Sequence, residues 1–131
     1  MKRKGFTLVE LAVVIVIIGV LAAFGVPRFR ESVERSKASE AYNYLSAVQS
    51  SQERFHSKNG QYTADLSELD IQMGVPKYFS LGDVTADQIN WDITLYRTGA
   101  SAGYGPYTVH FAETGYKVDS NIPSAINPMS Q

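Results

Sequence analysis

The sequence predicts an α+β chain in which one long N-terminal α-helix packs on a small antiparallel β-sheet. Three observations lead there. An apolar run follows a short basic start, a helical stripe of apolar residues continues it, and the second half carries apolar residues in alternation. With 131 residues, there is room for one domain with a modest core.

The first element is the apolar run. From Phe6 to Val26, 21 residues contain one ionisable side chain, Glu10. In a helix they span about 30 Å, the thickness of a bilayer core. Lys2, Arg3 and Lys4 precede them, and cations in that place hold an N-terminus in the cytoplasm and send the rest outward. Two plainer readings are a secretory signal cut at Ala23-Phe24-Gly25 and a simple single-span anchor. Neither accounts for Glu10. An unpartnered carboxylate in hydrocarbon costs about 2.5–3.5 kcal/mol on insertion scales.

Helical patterning continues beyond the run. Gly19 and Gly25 weaken the helix interior, and Pro27 removes a backbone donor, which predicts a kink near Pro27. Ala38, Ala41, Leu45, Val48 and Phe55 then form one apolar stripe, with Arg30, Glu34, Arg35, Lys37, Glu40, Gln49 and Glu53 between them. Asn59-Gly60 is a helix stop, since glycine takes the left-handed cap conformation freely. The helix is expected from Phe6 to about Lys58, roughly 80 Å at the standard rise.

After Gly60, Thr63 is placed to cap a short helix over Ala64–Leu69, with Leu66 and Leu69 turned inward. Strands follow at Tyr78–Val84, Asn90–Arg97, Tyr107–Glu113 and Tyr116–Asp119. Trp91, Ile93 and Leu95 alternate with polar neighbours, as do Tyr107, Val109 and Phe111, which suits a sheet with one buried face. Gly99–Pro106 reads as a loose hairpin loop and Thr114-Gly115 as a tight turn. The tail, 120–131, has two prolines and no periodicity, so it is expected to wrap the domain or stay mobile.

Composition removes several classes of function. Without cysteine there is no disulfide, thiol chemistry or Cys-bound metal. A net charge of −1, or −4 without residues 1–5, gives no basic excess, so no nucleic acid partner is expected. His56 and His110 lie on different elements with no clustered carboxylate evident, and Asp83, Asp87 and Asp92 match no calcium-loop spacing. The 15 aromatic residues, Phe6, Phe24 and Phe29 among them, read as packing area. The expectation is a protein that is no enzyme, with no cofactor and no metal.

One constellation remains. Gly5-Phe6-Thr7-Leu8-Val9-Glu10, between a basic leader and an apolar helix, resembles the N-terminus of type IV pilins and their pseudopilin relatives. The resemblance implies the type IV pilin fold and cleavage between Gly5 and Phe6 by a prepilin peptidase in the inner membrane. It also implies N-methylation of Phe6 and neutralisation of a neighbouring subunit's amine by Glu10 during filament assembly. Phe6 and Glu10, four apart, are expected on one helix face. In such pilins the stretch matching Gly19–Val26, ahead of Pro27, can lose helicity in the filament.

On this reading residues 1–5 are the leader, 6–27 the membrane and filament-core half-helix, and 28–131 a head. The head divides into helix 28–58, loop and short helix 59–72, sheet about 78–119, and tail. The partners implied are other copies of the chain, the peptidase, the inner-membrane assembly platform, and lipid before assembly. The precursor sits in the inner membrane and the filament on the cell surface. Two alternatives stay open: a pseudopilin of a type II secretion system and a membrane-anchored binding domain. A fragment beginning at Arg28 is expected to be a soluble monomer whose thermal midpoint is unmoved by reductant or chelator. A clear loss of stability with chelator would revive a calcium loop.

Overall fold

The computed structural model describes residues 3–99 and 104–130. Met1 and Lys2 of the expected leader, residues 100–103 of the expected Gly99–Pro106 loop, and Gln131 lie outside them. Helix α1 runs Leu8–Asn59, 52 residues, unbroken through Gly19, Gly25 and Pro27. The stretch Gly19–Val26, which the resemblance implies can lose helicity in the filament, is helical in the single chain. The chain divides into two compact units, Met1–Val33 and Glu34–Gln131.

In the first unit every described residue as far as Arg30 is exposed, including Phe6 at 84%, Ile15 at 68% and Phe24 at 73%. The helix is long and apolar enough to cross a membrane. Its apolar residues surround the axis rather than forming one stripe, so no single face is left polar for water.

The second unit holds the core. The sheet is antiparallel in the order β1-β2-β3-β4, with β1 at Phe79–Ala86, β2 at Trp91–Arg97, β3 at Thr108–Ala112 and β4 at Gly115–Tyr116. Ala38, Ala41, Leu45 and Val48 of α1 form one buried cluster with Trp91, Ile93, Leu95, Val109 and Phe111 of the sheet. The registers Leu95↔Val109 and Ile93↔Phe111 put these inward residues side by side. At Gly82-Asp83 two residues of β1 oppose Thr94 alone, a β-bulge. Glycine is required there, because a Cβ would stand 2.6 Å from the Tyr96 ring and 2.7 Å from the Thr94 carbonyl oxygen. At the other punctuation point, Gly60 takes φ 75° and its amide bonds the His56 carbonyl, closing α1.

Three local expectations are corrected. The short helix is one 3-10 turn, Leu66–Glu68, capped by Asp65, whose carboxylate accepts from the Ser67 amide. Thr63 serves the loop instead: its hydroxyl accepts from the Asp65 amide and donates to Glu68. The fourth strand has two residues, because the Ser120 hydroxyl accepts the His110 amide and donates to the Lys117 carbonyl, turning the chain off the sheet. The tail then wraps the domain, with Ile122 and Ile126 in the core. Tyr42 donates to Asn127 at 2.8 Å, and Asn127 donates to the Tyr116 hydroxyl at 3.2 Å.

The third correction concerns Glu34, read as part of the polar face but buried to 2% exposure. Arg97 Nε donates to its Oε1 at 2.7 Å, Nη2 to its Oε2 at 3.3 Å, and the Tyr107 hydroxyl to Oε1 at 2.9 Å. Arg97 Nη1 reaches the Tyr78 and Thr98 carbonyls. Burial, and then donation to Glu34, push the Tyr107 phenol far above its ordinary value, so it remains a donor. Removing one partner of a buried pair strands the other's charge and costs about 3–5 kcal/mol, whereas replacing both with apolar groups often costs nothing. In the fragment beginning at Arg28, Glu34→Gln and Arg97→Met should each lower unfolding free energy by roughly that amount. The double variant Glu34→Leu/Arg97→Met should lose less than either single change, as read by denaturant titration.

Candidate functional site at the start of the helix

The residues singled out by sequence, Gly5, Phe6 and Glu10, bracket the start of α1. Arg3 to Thr7 is non-helical and exposed, so the Gly5–Phe6 bond lies in accessible chain. Thr7 is the cap: the Leu11 amide bonds the Thr7 carbonyl at 3.2 Å. The Glu10 amide donates to the Thr7 hydroxyl at 3.1 Å, while the Thr7 amide donates to Glu10 Oε2 at 2.8 Å. This reciprocal pair is a capping box, and the Thr-x-x-Glu spacing that signals it stands in the sequence at positions 7–10. The carboxylate also faces the positive end of the helix dipole. Glu10 thus has a partner inside its own chain. Phe6 precedes the helix, so the expectation that Phe6 and Glu10 share a helix face does not hold here.

Chemistry elsewhere is limited. His56 Nε2 lies 3.0 Å from the Gln88 carbonyl and its ring stacks on Tyr62 at 4.4 Å, tying the β1–β2 hairpin to the end of α1. His110 does have carboxylate partners, contrary to the expectation from spacing. Its Nδ1 is 2.9 Å from Asp119 and its Nε2 3.6 Å from Asp92, residues joined only by the sheet and the turn after β4. Asp87 accepts the Ile89 and Asn90 amides at 2.8 and 2.7 Å, which holds its carboxyl below the usual range. Asp92 accepts from Thr85. Among the described residues no group of three or more His, Asp or Glu is placed to hold a metal ion.

Comparison with known proteins bears on residues 1–120. Residues 1–26 match the family model described as the prokaryotic N-terminal methylation motif. Residues 27–120 match the model described as type IV minor pilin ComP, DNA uptake sequence receptor. Fimbrial protein EcpC of Eikenella corrodens is 38% identical over 104 residues, 77% of this chain and 68% of the relative. Type IV major fimbrial protein FimA of Dichelobacter nodosus is 32% identical over 103 residues, 79% of this chain and 62% of the relative. Type IV major pilin protein PilA of Myxococcus xanthus is 41% identical over 68 residues, 52% of this chain and 31% of the relative.

One expectation is withdrawn on these grounds. Net charge argued against a nucleic acid partner, yet the model over 27–120 is that of a DNA receptor. An average charge is blind to a local patch. The helix and sheet have the type IV pilin arrangement, and with both halves of the sequence matched the chain belongs to the type IV pilin family.

Proposed function

We propose that this chain is a filament subunit made as an inner-membrane precursor and polymerised through α1 after processing. The observation that carries the reading is the apolar half-helix, exposed along its length, with a single carboxylate at its start. Such a surface is stable in lipid or against other helices, and in water it costs on the order of 25 cal/mol per Å². The prepilin peptidase hydrolyses the Gly5–Phe6 amide in the exposed non-helical segment, freeing an amine on Phe6 that is then methylated. Glu10 pairs with the amine of a neighbouring subunit as the helix enters the filament core, at the inner-membrane assembly platform. Gly19, Gly25 and Pro27 mark where the helix bends or unwinds on packing. The surface filament is the destination.

A second reading is favoured by the match over 27–120: a minor subunit that binds duplex DNA. Binding by phosphate contacts weakens steeply as salt rises, so co-sedimentation of filaments with DNA at low and high salt separates it from a purely structural role. A pseudopilin would form no long surface fibre.

Mass spectrometry of the mature protein should find a chain starting at Phe6 with one added methyl, and Gly5→Val should leave the precursor uncut. Electron microscopy should find surface filaments in cells that have the gene and fewer or none in its deletion. A mature N-terminus near Val26, or filaments unchanged by the deletion, contradicts the proposal.

A further inference from the structure

We infer that Lys37, Lys77 and Tyr78 form an anion-receiving patch that takes the acidic end of the head of a second copy of this chain. The inference rests on the filament reading above.

The patch is built around one ring. Lys37 Nζ lies 4.5 Å from the centroid of Tyr78 and Lys77 Nζ 5.8 Å from it. The Arg97 guanidinium is 5.4 Å from the same centroid, but its charge is matched by Glu34. The Tyr78 carbonyl accepts from the Thr98 hydroxyl at 3.0 Å, which fixes the ring's backbone. The two ammonium groups are thus held within about one Debye length of each other. Among the described residues no carboxylate lies in ion-pair distance of either. Two like charges gathered around one ring, with no carboxylate in ion-pair distance, favour an anion from outside.

The rest of the same unit shows where one comes from. The patch sits at the end of the head where Phe79 pairs with Arg97 and Arg97 meets Glu34. The opposite end gathers the close of α1, the 3-10 turn and the β1–β2 hairpin: the Tyr62 amide bonds the Asp87 carbonyl, and His56 meets Gln88. Asp65, Glu68 and Asp87 are exposed there and outnumber Lys58, the exposed cation of the last helical turn. Lys37 and His56 are 19 residues apart on α1, about 28 Å at the helical rise. Copies set in the same sense place this acidic end on the basic patch. Such a contact leaves a free end on both partners and builds an open helical polymer. Every copy carries its own acidic end into the filament, which favours that occupant over duplex DNA.

The test uses the full chain in cells that make its filaments. Lys37→Glu/Lys77→Glu should leave membrane levels and leader cleavage unchanged and lower filament yield more than about tenfold, since like charges then face each other. Adding Glu68→Lys to that variant should restore much of the yield. The chain has no cysteine, so Lys77→Cys paired with Glu68→Cys should give disulfide-linked ladders of subunits in filaments. Lys77→Cys paired with Val118→Cys, a site 93% exposed beyond β4, should not. Wild-type filament yield from the double charge reversal, or no ladder from the first cysteine pair, overturns the contact. Full filaments that have lost duplex DNA binding overturn it in favour of DNA. A wild-type chain that forms no filament contradicts the filament reading and this contact with it.

Discussion

A carboxylate at the mouth of an apolar helix governs how this chain can be used. The residues around Glu10 are hydrophobic, and hydrocarbon or packed helices solvate a charge poorly. In the single chain the cost is limited by the capping box, where the Thr7 amide and the helix dipole both face the carboxylate. That is a local arrangement at the exposed start of the helix. It satisfies hydrogen bonds without supplying a full countercharge. In the proposed polymer a neighbouring chain's amine would supply one, which would set the register of packing.

The head is built to hold its helix in a fixed register against the sheet. Three of the buried side chains of α1 are clasped by polar groups from another element. Glu34 meets Arg97 and Tyr107, Tyr42 meets Asn127, and Gln52 makes two bonds to Thr63, accepting its amide and donating to its carbonyl at 2.6 Å. Between them lies the apolar stripe, which supplies most of the burial but is tolerant of sliding. Hydrogen bonds to a buried charge are directional and do not tolerate it. The clasps at Glu34 and Gln52 are 18 residues apart, about 27 Å along the helix. A chain without disulfides keeps its tail in place by the same means, through Asn127.

Much of this fold was legible because it rests on periodicity. The stripe from Ala38 to Val48 and the alternations in β2 and β3 point to their burial without ambiguity. What escaped were polar residues used against type. Glu34 is four residues before Ala38 on the same stripe, and Arg97 continues the inward series Trp91, Ile93, Leu95. Each alone reads as solvated, and together they read as a pair, but pairing across 63 residues requires the topology. The His110 carboxylates depend on topology in the same way, whereas the Asp65 cap is a contact over two residues in which Asp65 takes the role that Thr63 was expected to fill. The Thr7-Glu10 box, by contrast, lies within four consecutive residues and needs no topology.

The central claim is that Glu10 serves assembly rather than insertion or folding, and one variant tests it most directly. Glu10→Ala should reach the membrane, lose its leader and fold its head as the wild type does. An unpaired buried amine costs about 3–5 kcal/mol, a factor of several hundred or more in an equilibrium. Filaments sheared from the cell surface should therefore be absent or sharply reduced, with the subunit retained in the inner membrane. Filaments of Glu10→Ala at the wild-type yield would contradict the account.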